Sequence, residues 1–208
     1  GKVSQSPVNE QTPLNPNTYY RTTKMLGEQV LLDLWKNNNL PVVIARLSTI
    51  YGPRGFNLLG LTKALNQKNF RTIGSGNNYV QLGYVSDAMQ GLIHCGNTEG
   101  IEGQTYLITG EKAITLNKFL ELMSQELGID GKMKHLPLLP YQLFHQVAQA
   151  SYKILDIQMP IAHRYELFLA NKALDISKAR QEIGYCPMIS PSEGIRRLIA
   201  WYRDMQLI

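Results

Sequence analysis

The stretch PVVIARLSTI, at positions 41–50, constrains the fold more than any other part of the sequence. It is an almost continuous apolar run, rich in the β-branched residues that favour strands. A strand that is apolar on both sides of its pleat is typical of a parallel sheet with both faces covered. The run therefore predicts a buried strand with helices packed against its sheet.

Helix-like and strand-like segments alternate around this strand. Helical spacing of apolar residues predicts helices over 19–37, 56–68 and 137–156, and another starting at 87. The helix ITLNKFLELMSQELG has Thr115 as an N-cap candidate and Gly128 as a stop, and a last helix begins from Ser190 or Ser192. YVQLGYV and QTYLITG read as strands. The alternation indicates an α/β protein, although three or four strands are few for an independent doubly wound sheet.

Tyr20 and Lys24 are spaced to lie on one face of the first helix, because residues i and i+4 are neighbours on a helix surface. An ammonium beside a phenol favours the phenolate, which lowers the phenol's pKa from its ordinary value of about 10. Such a tyrosine can move a proton on or off a hydroxyl while a hydride leaves the neighbouring carbon, and the hydride requires a cofactor. The alternative is a solvated helix face with no chemical role.

Further motifs follow this pair in a fixed order. Arg46 and Tyr51-Gly52-Pro53 lie in and after the apolar strand, and Tyr84-Val85-Ser86-Asp87 comes next. The strand QTYLITG, the helix opened by Thr115 and the segment ALDISKARQEIGYCP complete the series. In this order the motifs resemble the carboxyl-terminal portion of extended short-chain dehydrogenase/reductases, the NAD-dependent epimerase/dehydratase group. The resemblance covers essentially the whole chain.

The resemblance implies the last part of a Rossmann-type doubly wound parallel sheet, together with a small, mostly helical substrate domain. Residues 1–52 would hold the last Rossmann elements with the Tyr20/Lys24 helix and the following strand. Residues 53–208 would form the substrate domain, interleaved with the final Rossmann elements at about 79–110.

The resemblance also implies roles for individual residues. Tyr20 would be the catalytic acid/base, and Lys24 would hydrogen-bond the nicotinamide ribose of NAD or NADP. The backbone from Leu47 to Ile50 would lie beside the nicotinamide. For Asp87 we favour organising the end of its strand and capping the following helix over a catalytic role, because aspartate is common at N-caps. Arg46 could anchor a loop or meet a ligand, and we favour the structural role.

The glycine-rich loop that grips a dinucleotide pyrophosphate does not occur as a strand–turn–helix unit in this sequence. GSGNN at 74–78 has the glycines but reads as a turn. The chain is therefore expected to be part of a longer enzyme, one half of a split enzyme, or a non-catalytic interaction module that retains the fold. We expect either the missing amino-terminal half or a dimer partner to cover the edge of the apolar strand.

The substrate class stays open between a sugar nucleotide and a sterol-like molecule. The segment YVQLGY lacks the arginine that nucleotide-sugar enzymes place there for a diphosphate, and Thr49 stands where they tend to have asparagine. Arg54 or Arg71 could compensate, and Thr49, Arg54 and Gln81 are the candidate substrate contacts. The apolar stretch at 136–161 suits a hydrophobic ligand or, alternatively, a helix packed on the sheet or on a twin subunit.

The composition narrows the possible partners and location. The net charge is +5, but the basic residues are scattered, which argues against nucleic-acid binding. No apolar run is long enough to span a membrane and no signal core opens the chain, so we expect a cytoplasmic protein without a membrane partner. Cys95 and Cys186 have no metal-ligand spacing, and no metal site is predicted.

Overall fold

A computed structural model of the protein describes residues 6–67, 70–129, 134–137 and 171–208. These ranges contain six α-helices: α1 (Tyr19–Asn38), α2 (Leu59–Asn66), α3 (Val85–Asn97), α4 (Leu116–Leu127), α5 (Ser177–Ile183) and α6 (Pro191–Asp204). They also contain eight short strands: β1 (Ile44–Leu47), β2 (Thr49–Tyr51), β3 (Arg71–Ile73), β4 (Tyr79–Val80), β5 (Leu82–Tyr84), β6 (Thr105–Ile108), β7 (Ile114–Thr115) and β8 (Lys134–Leu136). The α/β class expected from the sequence is confirmed. Within the same ranges, no helix is both long and apolar enough to cross a bilayer.

The strands associate in pairs. Three pairs are parallel (β1 with β6, β2 with β5, β3 with β8), and β4 and β7 run antiparallel. In the first pair, Ile44 lies beside Thr105 and Leu47 beside Ile108. Within the described part of the chain, β6 is the only strand neighbour of β1, so the second edge of β1 has no strand partner there.

The apolar run at 41–50 differs from the prediction in two ways. It forms two strands, β1 and β2, instead of one. The Ser48 N–H donates to the Ile108 carbonyl at 3.1 Å, and after Ser48 the chain leaves β6 and pairs with β5. The run is also only partly covered, since Leu47 and Thr49 are exposed. Its apolar composition therefore predicted a strand correctly and its burial incorrectly.

Several helix ends lie at the capping residues that the sequence predicted. The Thr115 hydroxyl accepts from the Lys118 N–H at 3.2 Å, and Gly128 ends α4 in the left-handed conformation. Ser190 caps α6 by accepting from the Glu193 N–H at 3.3 Å. Asn39 ends α1 with a φ of 54°. These side-chain caps and left-handed residues satisfy backbone groups that a helix end leaves unpaired.

Other predicted boundaries need correction. The second helix is limited to α2, which is shorter than the predicted 56–68, and the predicted strand over YVQLGYV is divided at Gln81. β3 and β8 were not predicted. The predicted helix over 137–156 lies, apart from its first residue, outside the described residues, as does most of the apolar stretch at 136–161.

Two hydrophobic clusters hold the described elements together. One packs α4 and α6 around β2, with Phe119, Leu198 and Tyr202 in its centre. The other packs β6 against α5 and α3, with Tyr106, Ile108 and Ala179 in its centre. The first cluster contains residues from before position 79, from within 79–110 and from after position 110. Its packing therefore does not separate the chain into two domains at a single position. The domain boundary at 52/53 stays a prediction.

Candidate active site

The pair Tyr20/Lys24 lies at the amino-terminal end of α1. The helix begins there because the Thr18 hydroxyl accepts from the Arg21 N–H at 3.3 Å, which caps the first turn. The two side chains meet as their spacing predicted: the Lys24 ammonium lies 5.6 Å from the centroid of the Tyr20 ring. At this distance a cation is attracted by the face of the ring, a contact worth about 0.5–1 kcal/mol at an exposed site.

Tyr20 is open to solvent, with 70% of its surface exposed. Its hydroxyl can therefore reach a bound molecule without a change in the core. Lys24 is also exposed, and within the described ranges it forms no ion pair that would occupy its three N–H donors. Both groups are thus available to a ligand.

Leu47 and Ile50 are the predicted nicotinamide contacts. They lie on either side of Ser48, where the chain stops pairing with β6 and begins to pair with β5. β1 and β6 are parallel and end together, at Leu47 and Ile108. In open α/β sheets, ligands bind in the crevice outside the carboxyl ends of the strands. Leu47 is 40% exposed at this edge and offers apolar surface there. The arrangement fits a flat apolar ring beside this edge, and the assignment of these residues stays a prediction.

The three candidate substrate contacts have different surroundings. Thr49 is exposed in β2 and lies beside Leu82 of β5. Arg54 is exposed in the turn after β2, with a φ of +68° that is uncommon for a residue with a side chain.

Gln81 is buried, and both ends of its side-chain amide are bonded to backbone. Its Nε2 donates to the Gly110 carbonyl at 2.7 Å, and its Oε1 accepts from the Leu174 N–H at 2.7 Å. A substrate contact at Gln81 stays a prediction, and a ligand there would have to replace one of these two bonds.

Arg46 anchors α1 to the sheet, in agreement with the structural role expected for it. Its Nε donates to Glu28 Oε2 at 3.0 Å and its Nη2 to the other oxygen of the same carboxylate. Its Nη1 donates to the Glu10 carbonyl at 3.0 Å. The Glu10 side chain in turn accepts from the Leu107 N–H of β6 at 2.8 Å. The sequence analysis missed Glu10 and Glu28, although Glu28 continues the four-residue spacing of Tyr20 and Lys24.

Asp87 does not cap α3, which corrects the role expected from its position. The N-cap residue is Tyr84, without a side-chain cap, and Asp87 lies inside the first turn. The Asp87 carboxylate is buried and its Oδ2 accepts from the Ile189 N–H at 3.0 Å. It therefore holds the chain just before α6, a contact between residues 102 positions apart that spacing along the sequence cannot reveal.

A cavity near these elements is lined by Tyr51, Val80, Leu82, Gly110, Glu111, Lys112, Ile114, Phe119, Ile189 and Pro191. Burial raises the pKa of Tyr51, and the nearby Tyr84 and Asp87 raise it further, so this phenol stays protonated. Tyr20 and Lys24 do not line this cavity. The cavity is therefore separate from the Tyr20/Lys24 pair. No group of three or more metal-ligating side chains occurs among the residues that the structure describes.

Comparison with known proteins agrees with the motif order. The family model described as GDP-mannose 4,6-dehydratase matches residues 1–198. The uncharacterized protein y4nL of Sinorhizobium fredii (strain NBRC 101917 / NGR234) is 31% identical over 201 residues, covering 92% of this chain and 56% of y4nL. A 3beta-hydroxysteroid-dehydrogenase/decarboxylase (isoform 2) of Arabidopsis thaliana is 28% identical, covering 90% of this chain and 36% of the plant protein. The chain spans about half the length, or less, of the curated relatives it matches.

A solved structure shows the same fold. UDP-glucuronic acid 4-epimerase from Bacillus cereus in complex with NAD aligns with a TM-score of 0.72 at 20% identity. The alignment covers 98% of this chain and 60% of the epimerase chain. The α/β elements described above thus have the same fold as part of this Rossmann-type epimerase.

Proposed function

Because this chain belongs to the GDP-mannose 4,6-dehydratase family, within the NAD-dependent epimerases and dehydratases, we propose that it is the carboxyl-terminal part of an NAD(P)-dependent enzyme that oxidises or reduces a hydroxyl or keto carbon. Tyr20 exchanges the proton of that hydroxyl, and Lys24 holds the tyrosine and the cofactor ribose. The observation that carries the proposal is the contact of the Lys24 ammonium with the Tyr20 ring on a helix tied to the carboxyl end of β1.

The residues present fit the nicotinamide end of the cofactor. Tyr20 and Lys24 expose a hydroxyl and an ammonium, and Leu47 exposes apolar surface at the edge where parallel strands end. When bound, the cofactor supplies the hydride acceptor or donor that no side chain provides. GSGNN at 74–78 leads into β4 and not into a helix, so it lacks the form that binds a pyrophosphate, and the proposal assigns this binding to the amino-terminal half.

The proposed proton transfer assigns a separate role to each of the two side chains. As a phenolate, Tyr20 accepts the proton of a substrate hydroxyl as the hydride leaves the same carbon for the cofactor, and the phenol so formed returns that proton when a keto group is reduced. The Lys24 ammonium is attracted to the face of the Tyr20 ring, and this contact holds the ring in position during the transfer. The product retains the carbon skeleton, whether the overall outcome is epimerisation, dehydration or simple oxidation.

The substrate is a sugar nucleotide in the first instance, the class named in the matching family description. A sterol-like molecule is the second candidate. It is favoured by the 28% identity with the Arabidopsis hydroxysteroid enzyme and by the absence of an arginine in Tyr79–Tyr84. An arginine there would have provided a bidentate partner for a diphosphate.

The test uses the chain joined to its upstream half, supplied with NAD or NADP. A set of nucleotide sugars and a 3β-hydroxysteroid are offered as substrates. Reduced cofactor is followed by absorbance, and products are separated by chromatography, because epimerisation and dehydration return the hydride and leave no net change in the cofactor. Tyr20→Phe should abolish turnover and leave cofactor affinity nearly unchanged, because only the hydroxyl is lost. The neighbouring Tyr19→Phe is the matched control and should remain active. Full activity of Tyr20→Phe would contradict the assignment, and a protein that binds no cofactor with the upstream half present would be an interaction module.

A further inference from the structure

We propose that Arg46 is a positioning residue for the Tyr20/Lys24 pair. It fixes the rotation of α1 about its own axis by holding Glu28, and so determines where the pair points. The inference rests on the proposed function, because a direction matters only if Tyr20 and Lys24 meet a cofactor and a substrate.

Packing alone does not fix α1 in the described part of the protein. None of its 20 residues is buried; Leu26, Val30, Leu31 and Leu34 are exposed, and Met25, Leu32 and Trp35 are half-buried. At its carboxyl-terminal end the helix is held by Trp35, whose ring lies against Gly103 in the turn before β6. Because no side chain along α1 is buried, polar contacts contribute to the direction of its amino-terminal end, where Tyr20 and Lys24 lie.

Arg46 supplies the second attachment, nearer to the pair. Its guanidinium binds both oxygens of the Glu28 carboxylate and also the Glu10 carbonyl. A planar guanidinium that grips a carboxylate at two points restricts both distance and orientation, which a single point charge does not. The side chains are largely shielded, at 22% exposure for Arg46 and 14% for Glu28, so water competes weakly for these bonds.

This clamp, formed by Arg46 with Glu28 and the Glu10 carbonyl, is also bonded to the strands. Glu10 gives its carbonyl to Arg46 and its carboxylate to the Leu107 N–H of β6. Arg46 itself lies in β1, directly beside Leu107 in the parallel register. The guanidinium is therefore fixed to the same strand pair whose carboxyl ends form the proposed nicotinamide edge.

Tyr20, Lys24 and Glu28 follow one another at intervals of four residues, so they form one stripe along α1. Holding Glu28 against Arg46 fixes the direction of this stripe relative to the β1/β6 pair. A rotation of α1 that broke the Glu28 bonds would carry Tyr20 and Lys24 away from this edge. Arg46 thereby acts on the reaction through Glu28, without contact with the reacting atoms.

The first measurement is amide hydrogen exchange of α1 in this 208-residue chain. Arg46→Gln should speed exchange of the amides in 19–38 by about tenfold or more, since charge-assisted hydrogen bonds are lost. The charge swap Glu28→Arg/Arg46→Glu should restore slow exchange in part, because it rebuilds the ion pair but leaves the Glu10 carbonyl without its donor. Arg203→Gln, which removes a contact of α6 with Glu126 of α4, is the control and should leave α1 unchanged.

The second measurement is turnover of the chain joined to its upstream half. Arg46→Lys keeps the charge and loses the two-point grip, so kcat should fall about tenfold while KM for substrate and cofactor stays within about twofold. The charge swap should recover part of the lost kcat. Unchanged exchange in Arg46→Gln would overturn the clamp. Faster exchange with unchanged kcat, in an enzyme that Tyr20→Phe inactivates, would overturn the positioning role and leave the proposed function standing. If Tyr20→Phe stays active, the proposed function fails, and with it the role of Arg46 in the reaction.

Discussion

The ring of Trp35 lies so close to Gly103 that a Cβ at Gly103 would come within 2.4 Å of the indole. Gly103 also has a φ of +77° and donates its N–H to the Val42 carbonyl at 2.7 Å. A residue with a side chain is strained at this φ and would also displace the indole. The contact joins the carboxyl-terminal end of α1 to the turn before β6.

Gly103→Ala should therefore undock this end of α1. Its cost combines the positive φ, about 1 kcal/mol, with about 1–3 kcal/mol for the forced movement of Trp35. The matched control is Gly100→Ala, which has a φ of +75° and open space around the added Cβ, so it carries the backbone strain alone. Urea unfolding of both variants measures the difference. Equal losses of unfolding free energy would show that the Trp35 contact contributes nothing.

Gly194→Ala tests how closely α6 approaches β2. An added Cβ would lie 2.2 Å from the Tyr51 hydroxyl oxygen, and Gly194 is buried. We expect a loss of about 2–3 kcal/mol in the free energy of unfolding, although alanine is the better helix former by about 1 kcal/mol. Gly27→Ala in α1, where nothing lies within 4 Å, is the control and should be neutral or stabilising.

A double-mutant cycle assigns the Gly194 effect to Tyr51. Tyr51→Phe removes the oxygen closest to the added Cβ, so the combined variant should be at least about 1 kcal/mol more stable than the sum of the single losses predicts. Strict additivity in thermal and urea unfolding would place the strain elsewhere in the cluster.

The sequence predicted those parts of the fold that depend on neighbouring residues. The caps at Thr115 and Ser190 and the left-handed stop at Gly128 were predicted because a cap needs only a hydroxyl or a glycine at one position. The Tyr20/Lys24 contact was predicted for the same reason, since four residues make one turn of helix.

The parts that were missed depend on residues far apart in the chain. β3 and β8 pair across about 60 positions, and each is only three residues long, so neither shows a pattern of its own. Asp87 looked like a cap because it precedes an apolar helical segment, and its partner Ile189 could be found only in three dimensions. The break at Ser48 follows from the arrangement of β5 and β6, which a run of apolar residues cannot specify.

Gln81→Met tests whether the buried amide serves the fold. Methionine has a similar size, so packing is kept while the bonds to the Gly110 carbonyl and the Leu174 N–H are lost. The buried Gly110 carbonyl and the part-buried Leu174 N–H then lack these partners, which should cost about 1–3 kcal/mol of unfolding free energy. Gln125→Met, on the exposed side of α4, is the matched control and should change the stability by less than about 0.5 kcal/mol. A stable Gln81→Met protein with weakened substrate binding would favour the predicted substrate contact instead.

Glu193, in the first turn of α6, should titrate at unusually low pH. Hydrogen bonds from Arg196 and then Arg197 hold the pKa of its carboxyl at about 2. Because this folded-state pKa lies below that of the unfolded chain, the carboxylate stabilises the fold above the unfolded pKa of about 4.3, and this contribution is lost as the pH falls toward 2. The side-chain carboxyl carbon of Glu193, followed by NMR against pH, gives the midpoint directly. The double variant Arg196→Gln/Arg197→Gln should bring the midpoint back to about 4, whereas Arg203→Gln, with no bond to Glu193, should leave it low. A midpoint near 4 in the unaltered protein would show that neither arginine holds the carboxylate in solution.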